Sequence, residues 1–349
     1  MKTALRTLAV LAALGLAGAA AVVGLGLYNV SAQVGHMPGV SWILHTTFRN
    51  SVALRAPPEA ETPPLGDPDL IALGAGHYAT ACAPCHAGPD TDQSATMRAM
   101  APMPPTIIDA IEHWKPNELH WIVENGVKMS GMPAWPAPDR GDEIWSVVAY
   151  LVALQKGAAP DLPVTAADAR PEAYCATCHG RIGGPVPRLD IQTPAYLETQ
   201  LRAYLTGQRP GGIMKQAASL VPAEDLPRLA RHFAETPDAP NRPAPRTGLY
   251  DTGEALARRG TRRVPACLSC HVAPGEAQAK GPALHGQREV YLEQQMKLWR
   301  DGIYRHDELM QMAARDLTDD DIAALARYFA AADGDDPFGT QQGVRALGD

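Results

Sequence analysis

Three copies of the pattern Cys-x-x-Cys-His constrain this chain more than any other feature. They fall at Cys82, Cys85 and His86, at Cys175, Cys178 and His179, and at Cys267, Cys270 and His271. The first cysteines lie 93 and 92 residues apart. All six cysteines of the chain belong to these motifs, which argues against a disulfide framework. A zinc site would need four ligands, usually two cysteine pairs close in sequence. A thioredoxin-type pair needs no histidine after its second cysteine and sits in a βαβ context. With the adjacent histidine repeated three times, the pattern reads as covalent attachment of three c-type haems. The cysteines form thioethers, and His86, His179 and His271 become proximal iron ligands.

The even spacing divides 349 residues into three domains of near-minimal size. A domain of about 90 residues buries a modest core, and a flat apolar cofactor would supply much of what is missing. That fits a chain with only 6% aromatic residues. The net charge of −7 gives no reason to expect nucleic acid as a partner. With only seven lysines, no broad lysine ring is available for docking.

Lys2 and Arg6 precede an uncharged, mostly apolar run from Thr7 to Leu27. These 21 residues match a membrane span and exceed a usual signal-peptide core. The competing reading is a cleaved signal ending at Val30-Ser31-Ala32. Run length favours a retained anchor over residues 1–30. The positive flank stays inside, so the rest faces the periplasm of a bacterial inner membrane, the compartment in which haem is attached.

Residues 31–67 read as an interfacial segment followed by a proline-rich tether. His36 and His45 lie there as interface polar groups. The expected haem domains are 68–157, 158–240 and 245–335, with a polar tail at 336–349. Proline-rich stretches separate them and cannot be helix or central strand. The segments DEIWSVVAYL, EDLPRLARHF and DDIAALARYF share an acidic start and apolar residues at helical spacing. One slot in them holds Tyr150, His232 and Tyr328, so His232 reads as a packing residue. No segment shows sustained strand alternation, and the expected fold is all-α.

A low-spin electron-transfer haem needs a sixth ligand, and a methionine thioether raises its potential. The place to look is the loop before each terminal helix. Met129 and Met132 are available in the first domain and Met214 in the second. Met310, Met312 and His306 are available in the third. The residues behind Met214, Ala217 and Leu220, nearly match Ala313 and Leu317 behind Met310, which favours Met310. Met97, Met100 and Met103 read as pocket lining or core.

All three domains resemble class I cytochrome c domains, small helical folds with the attachment motif near the start and an axial methionine near the end. NGVKMSGMPAW resembles the ligand loop of that family, where the methionine before proline binds iron, which implies Met132. The second and third domains resemble the paired haem domains of c-four-type cytochromes, carried by Tyr196-Leu-Glu-Thr-Gln200 and Tyr291-Leu-Glu-Gln-Gln295. Unit two departs from the pattern, with a short segment before its ligand. In this family a proline carbonyl orients the proximal histidine. The matches are Pro187 and Pro282, and one of Pro102, Pro104 and Pro105. The anchored three-haem layout resembles cytochromes that accompany bacterial respiratory chains.

These features predict an electron carrier. The expected donor is a respiratory complex or periplasmic dehydrogenase, and the expected acceptor a terminal oxidase. The alternatives are a cytochrome subunit of a membrane-bound dehydrogenase and a peroxidase-like enzyme with one open iron site. A haem sensor ranks last, since no signalling output domain follows the haems. Arg258, Arg259, Arg262 and Arg263 precede the third motif and would suit an acidic partner. Domain one carries ten acidic and five basic residues, a face for a basic partner. No glycine-rich phosphate loop and no Ser-His-Asp arrangement can be argued from the sequence.

Overall fold

The computed structural model describes residues 2–128, 130–163, 170–238, 248–271 and 281–331, and all regular structure there is helical. Helix α1, Lys2–Gly24, is long and apolar enough to cross a membrane and buries none of its residues among the described ones. Helix α2, Val40–Arg55, follows it. The expected interfacial segment is therefore largely helix. Trp42, Ile43 and Leu44 are exposed near its start, with Trp42 at 71%. Its far end is buried at Val52, and Phe48 meets Trp114 edge-on at 5.5 Å. His36 and His45 are exposed.

The proline-rich stretch after α2 is not a free tether. Lys115 Nζ pairs with Glu59 at 2.8 Å, and Asn117 donates to the Pro57 carbonyl. Leu65 packs on the first core. Proline fixes the backbone here, and these side-chain contacts dock it.

The first bundle crosses α3, Pro68–Ala81, over α5, Gly141–Gln155, with α4, Pro116–Asn125, alongside. Asp67 caps α3 by accepting from the Asp69 N–H, and Pro68 occupies the first turn, where its missing N–H costs nothing. The helices touch at Gly74, where any Cβ would overlap the Ser146 carbonyl. Tyr78 and Tyr150 stack there, 5.2 Å apart.

The third bundle repeats this crossing. Helix α9, Gly248–Arg259, meets α12, Asp319–Ala331. A Cβ on Gly253 would overlap the Ala324 carbonyl, and Tyr250 stands 5.3 Å from Tyr328. Helices α10, Glu289–Arg300, and α11, Glu308–Ala314, complete this bundle.

The middle bundle differs. It contains α6, Pro194–Thr206, α7, Gly212–Ser219, and α8, Leu226–Glu235, and among the described residues its motif is preceded by the single turn Pro171–Cys175. Among the described residues, no long helix before the motif meets the slot of Tyr150 and Tyr328 in this bundle. His232 is accordingly exposed, and the neighbouring Phe233 is buried instead. His232, expected as a packing residue, lies at the surface with its ring edge-on to Phe233 at 5.0 Å. The outer face of α3 in the first bundle supplies part of what is missing: Ala72 and Leu73 pack with Ile182, Val186, Cys178 and Ile213 in one apolar cluster. Removing such faces from water is what joins the two bundles.

Candidate functional site

Each attachment motif forms one tight helical turn. The backbone N–H of His86 donates to the Cys82 carbonyl at 2.9 Å; His179 and His271 donate to Cys175 and Cys267 at 3.0 Å each. One turn thus brings two thiols and an imidazole to the same side. All six cysteines are free thiols. Burial pushes the Cys82 thiol up to about 12, and Cys85 adds to the effect. Burial likewise raises Cys175 and Cys267 to about 11. Burial thus disfavours the thiolate at these three positions. Among the described residues no group of three or more His, Cys, Asp or Glu side chains is placed to hold a metal ion.

The three imidazoles are oriented alike by loops of different length. His86 Nδ1 is 2.8 Å from the Pro105 carbonyl, 19 residues on. His179 Nδ1 is 3.3 Å from Pro187, 8 residues on, and His271 Nδ1 is 2.9 Å from Pro282, 11 residues on. Each Nδ1–H donates to a carbonyl, which fixes the tautomer and leaves Nε2 with its lone pair. Among the three prolines open in the first bundle, Pro105 makes this contact. Burial lowers the pKa of His179 and His271, against the opposing pull of these carbonyls, and favours the neutral ring a metal needs. At His271 the ring lies so close that a Cβ on Gly281 would sit 2.6 Å from its Cε1.

Gln93 is a brace the sequence did not reveal. Its Nε2 donates to the Cys85 and Pro104 carbonyls, both at 2.8 Å, tying the motif to the proline segment. The signal was available only as a buried glutamine between two loops.

Met132 is half-buried on a loop closed by its own backbone: its carbonyl accepts from Val127, and its N–H donates to Ser130 Oγ. Met100 approaches the same loop, its Cε 2.6 Å from where a Cβ would stand on Gly131. Met97 is half-buried, but Met103 is 54% exposed and does not line a core. Met129 lies outside the described residues. Met214 is half-buried in the first turns of α7. In the third bundle Met310 packs against the core, as Cys267, Leu284 and Met296 do, whereas Met312 is 47% exposed. His306 stacks on Trp299 at 4.7 Å and faces a cleft between bundles.

The second and third bundles meet through a near-two-fold pair of contacts. Gln287 accepts from the Arg188 N–H at 2.8 Å and donates to the Arg188 carbonyl at 3.0 Å. Gln192 donates to the Ala283 carbonyl at 2.8 Å and accepts from its N–H at 3.2 Å. Arg188 and Ala283 directly follow the two prolines that orient His179 and His271. The exchange is self-complementary, as an isologous interface requires. Further along, Arg209 donates to Gln200, Gln295 and Tyr291, joining both copies of the Tyr-Leu-Glu-x-Gln motif.

The donor set fits haem c. Paired half-buried thiols, an imidazole with a free Nε2 and a half-buried thioether recur in each bundle. Arg209 is 7% exposed, has no carboxylate partner among the described residues, and leaves its Nε without a hydrogen bond. A buried cation of this kind suits the carboxylates of a haem.

A match to a known protein decides the family. The chain is 36% identical over 182 residues to the thiosulfate dehydrogenase electron acceptor of Thiomonas intermedia, spanning 48% of this chain and 83% of the relative. The chain belongs to the cytochrome c family. Residues 69–151 and 249–329 of this cytochrome match the family described as cytochrome c oxidase, cbb3-type, subunit III. Cytochrome c4 of Thiocapsa roseopersicina is 32% identical over 174 residues, 47% of this chain and 89% of that one. Among solved structures, reduced cytochrome c4 from Pseudomonas stutzeri aligns over 46% of this cytochrome and 94% of that chain, with 29% identity and a TM-score of 0.41. Covalently bound haem and electron transfer follow for this cytochrome, and redox proteins are its partners. The bound iron supplies reversible one-electron chemistry.

Proposed function

We propose that this cytochrome is a membrane-anchored carrier of three haems, one in each of the domains 68–157, 158–240 and 245–335. Cys82 and Cys85, Cys175 and Cys178, and Cys267 and Cys270 attach them. His86 and Met132, His179 and Met214, and His271 and Met310 are the axial pairs. The observation that carries the reading is the repeated Nδ1–H to proline carbonyl bond at all three histidines, each beside two free thiols. The protein's work is to hold six ligands and exclude water, so that each iron changes charge with little rearrangement.

Helix α1 is the anchor in a bacterial inner membrane, and exposed Trp42, Ile43 and Leu44 lie in its headgroup region. The haem domains face the periplasm. Electrons enter from a periplasmic dehydrogenase; the likeness to acceptors of thiosulfate dehydrogenase favours an enzyme oxidising a sulfur compound. They leave toward a terminal oxidase, a direction supported by the oxidase-subunit family match. Near the third motif, Arg258 pairs with Glu254, while Arg259, Arg262 and Arg263 stay exposed. Thr261 braces their turn, accepting from the Arg263 and Val264 N–H groups. This patch suits an acidic partner.

The test is rapid-mixing reduction by a thiosulfate-oxidising dehydrogenase, then reoxidation by membranes bearing a terminal oxidase. The reading predicts both steps, with reduction slowed by salt. Lack of reoxidation, together with constant co-purification of one dehydrogenase, would instead make it that enzyme's cytochrome subunit.

A further inference from the structure

The contact between the first and second bundles is built around the helix that carries Met214. Helix α7 begins at Gly212, and its first N–H groups need acceptors. They find one outside their own bundle. Glu143, on α5 of the first bundle, accepts from the Gly212 N–H at 2.5 Å and from the Ile213 N–H at 3.3 Å. Its carboxylate side chain is only 10% exposed and is held by Arg140 at 2.9 Å. Arg140 is buried as well, donating to the Pro210 carbonyl just before α7 and to the Tyr304 hydroxyl of the third bundle. An anion at a helix N-terminus is favoured by the dipole, the more so when buried.

Packing repeats the message. Trp135 stands three residues beyond Met132 and lies flush on Gly212, where a Cβ would overlap its indole ring. Ile213 inserts between the first core and the cluster shared by both bundles. The loop bearing Met132 and the helix bearing Met214 thus touch through Trp135 and Gly212.

We propose that the first bundle sets the sixth ligand of the second haem, with Glu143 as the positioning residue for the helix that presents Met214. The inference rests on Met214 being that ligand. Among the described residues the second bundle shows no long helix before its motif, and its segment before the ligand is short. Support from the neighbouring bundle stands in that place. The ligation of the second haem, and so its potential, then depends on the first domain being docked.

The experiment is carbon monoxide binding to the fully reduced full-length protein in detergent, read by the visible spectrum, for wild type, Met214→Ala, Glu143→Ala, Glu143→Gln and the double variant M214A/E143A. Wild type is expected to bind none. M214A and E143A are each expected to open about one haem in three, and the double variant no more than either alone. E143Q retains an acceptor and is expected to restore closure in large part. Glu143→Asp keeps the charge but draws the carboxylate back from Gly212 by one methylene; it serves if E143A fails to fold, and is expected to open the same haem. Two results overturn the inference. One is M214A opening a haem while E143A and E143D stay closed, which leaves the ligand assignment intact. The other is a double variant that opens two haems. If M214A itself stays closed, the ligand assignment falls and takes this inference with it.

Discussion

Replacing Gln287 with leucine tests the interface between the second and third bundles. Gln287 is 2% exposed, and its amide satisfies both backbone groups of Arg188, at 2.8 and 3.0 Å. Leucine preserves the volume but strands the N–H groups of Arg188 and Arg288 and the Arg188 carbonyl. Each stranded group costs about 1–3 kcal/mol, and partial relaxation brings the sum to about 2–4 kcal/mol. Gln192→Leu should cost a similar amount through Ala283, and the double variant should fall short of additivity because both act on one interface. The assay is denaturant unfolding of the detergent-solubilised holoprotein followed by circular dichroism, with haem content checked to be equal. If both single variants cost under about 0.5 kcal/mol, the reciprocal exchange is not what holds these bundles together.

Further outcomes follow from other contacts. Gly253→Ala pushes a methyl into the Ala324 carbonyl and should cost at least about 2 kcal/mol, seen as a lower thermal midpoint, whereas alanine at the uncrowded Gly248 should cost much less. Burial holds His77 at about 4 against 6.5 unfolded. The unfolded chain takes up that proton first, so stability is full above 6.5, falls as the pH drops, and has lost about 3 kcal/mol below 4. His77→Gln should flatten that part of the stability profile between pH 6.5 and 4, measured by thermal melts across the range. Joint replacement of Cys267 and Cys270 by alanine should lower the alkaline pyridine haem count from three per chain to two; an unchanged count would show that the third motif holds no haem.

The attachment motifs were plain in the sequence because their chemistry is contiguous: two thiols and an imidazole within one helical turn need no distant partner. The all-helical architecture and the membrane-length first helix were legible for the same reason, since period and run length are local. The proline that orients each histidine could be matched by analogy at Pro187 and Pro282. At the first motif three candidates stood within four residues, and only folding brings Pro105 to His86. His232 shares the slot of Tyr150 and Tyr328 in the sequence, yet it sits at the surface against Phe233. That slot is buried where a long first helix crosses it, at Gly74 and Gly253, and among the described residues the middle bundle shows no such helix. Contacts between bundles were not legible at all. Glu143 and Gly212 are 69 residues apart, and neither has a signature of its own. The proline-rich stretch looked free because its composition says only that it is not helix or strand. Lys115 and Asn117, far along the chain, are what dock it.

The central claim is that one chain carries three closed, reversible haems. A spectroelectrochemical titration of the purified full-length protein, recording the electrons taken up per chain together with the visible spectrum, tests it most directly. The account predicts three electrons per chain, with low-spin spectra in both the oxidised and the reduced state. Fewer than three electrons, or a high-spin component in either state, would contradict it.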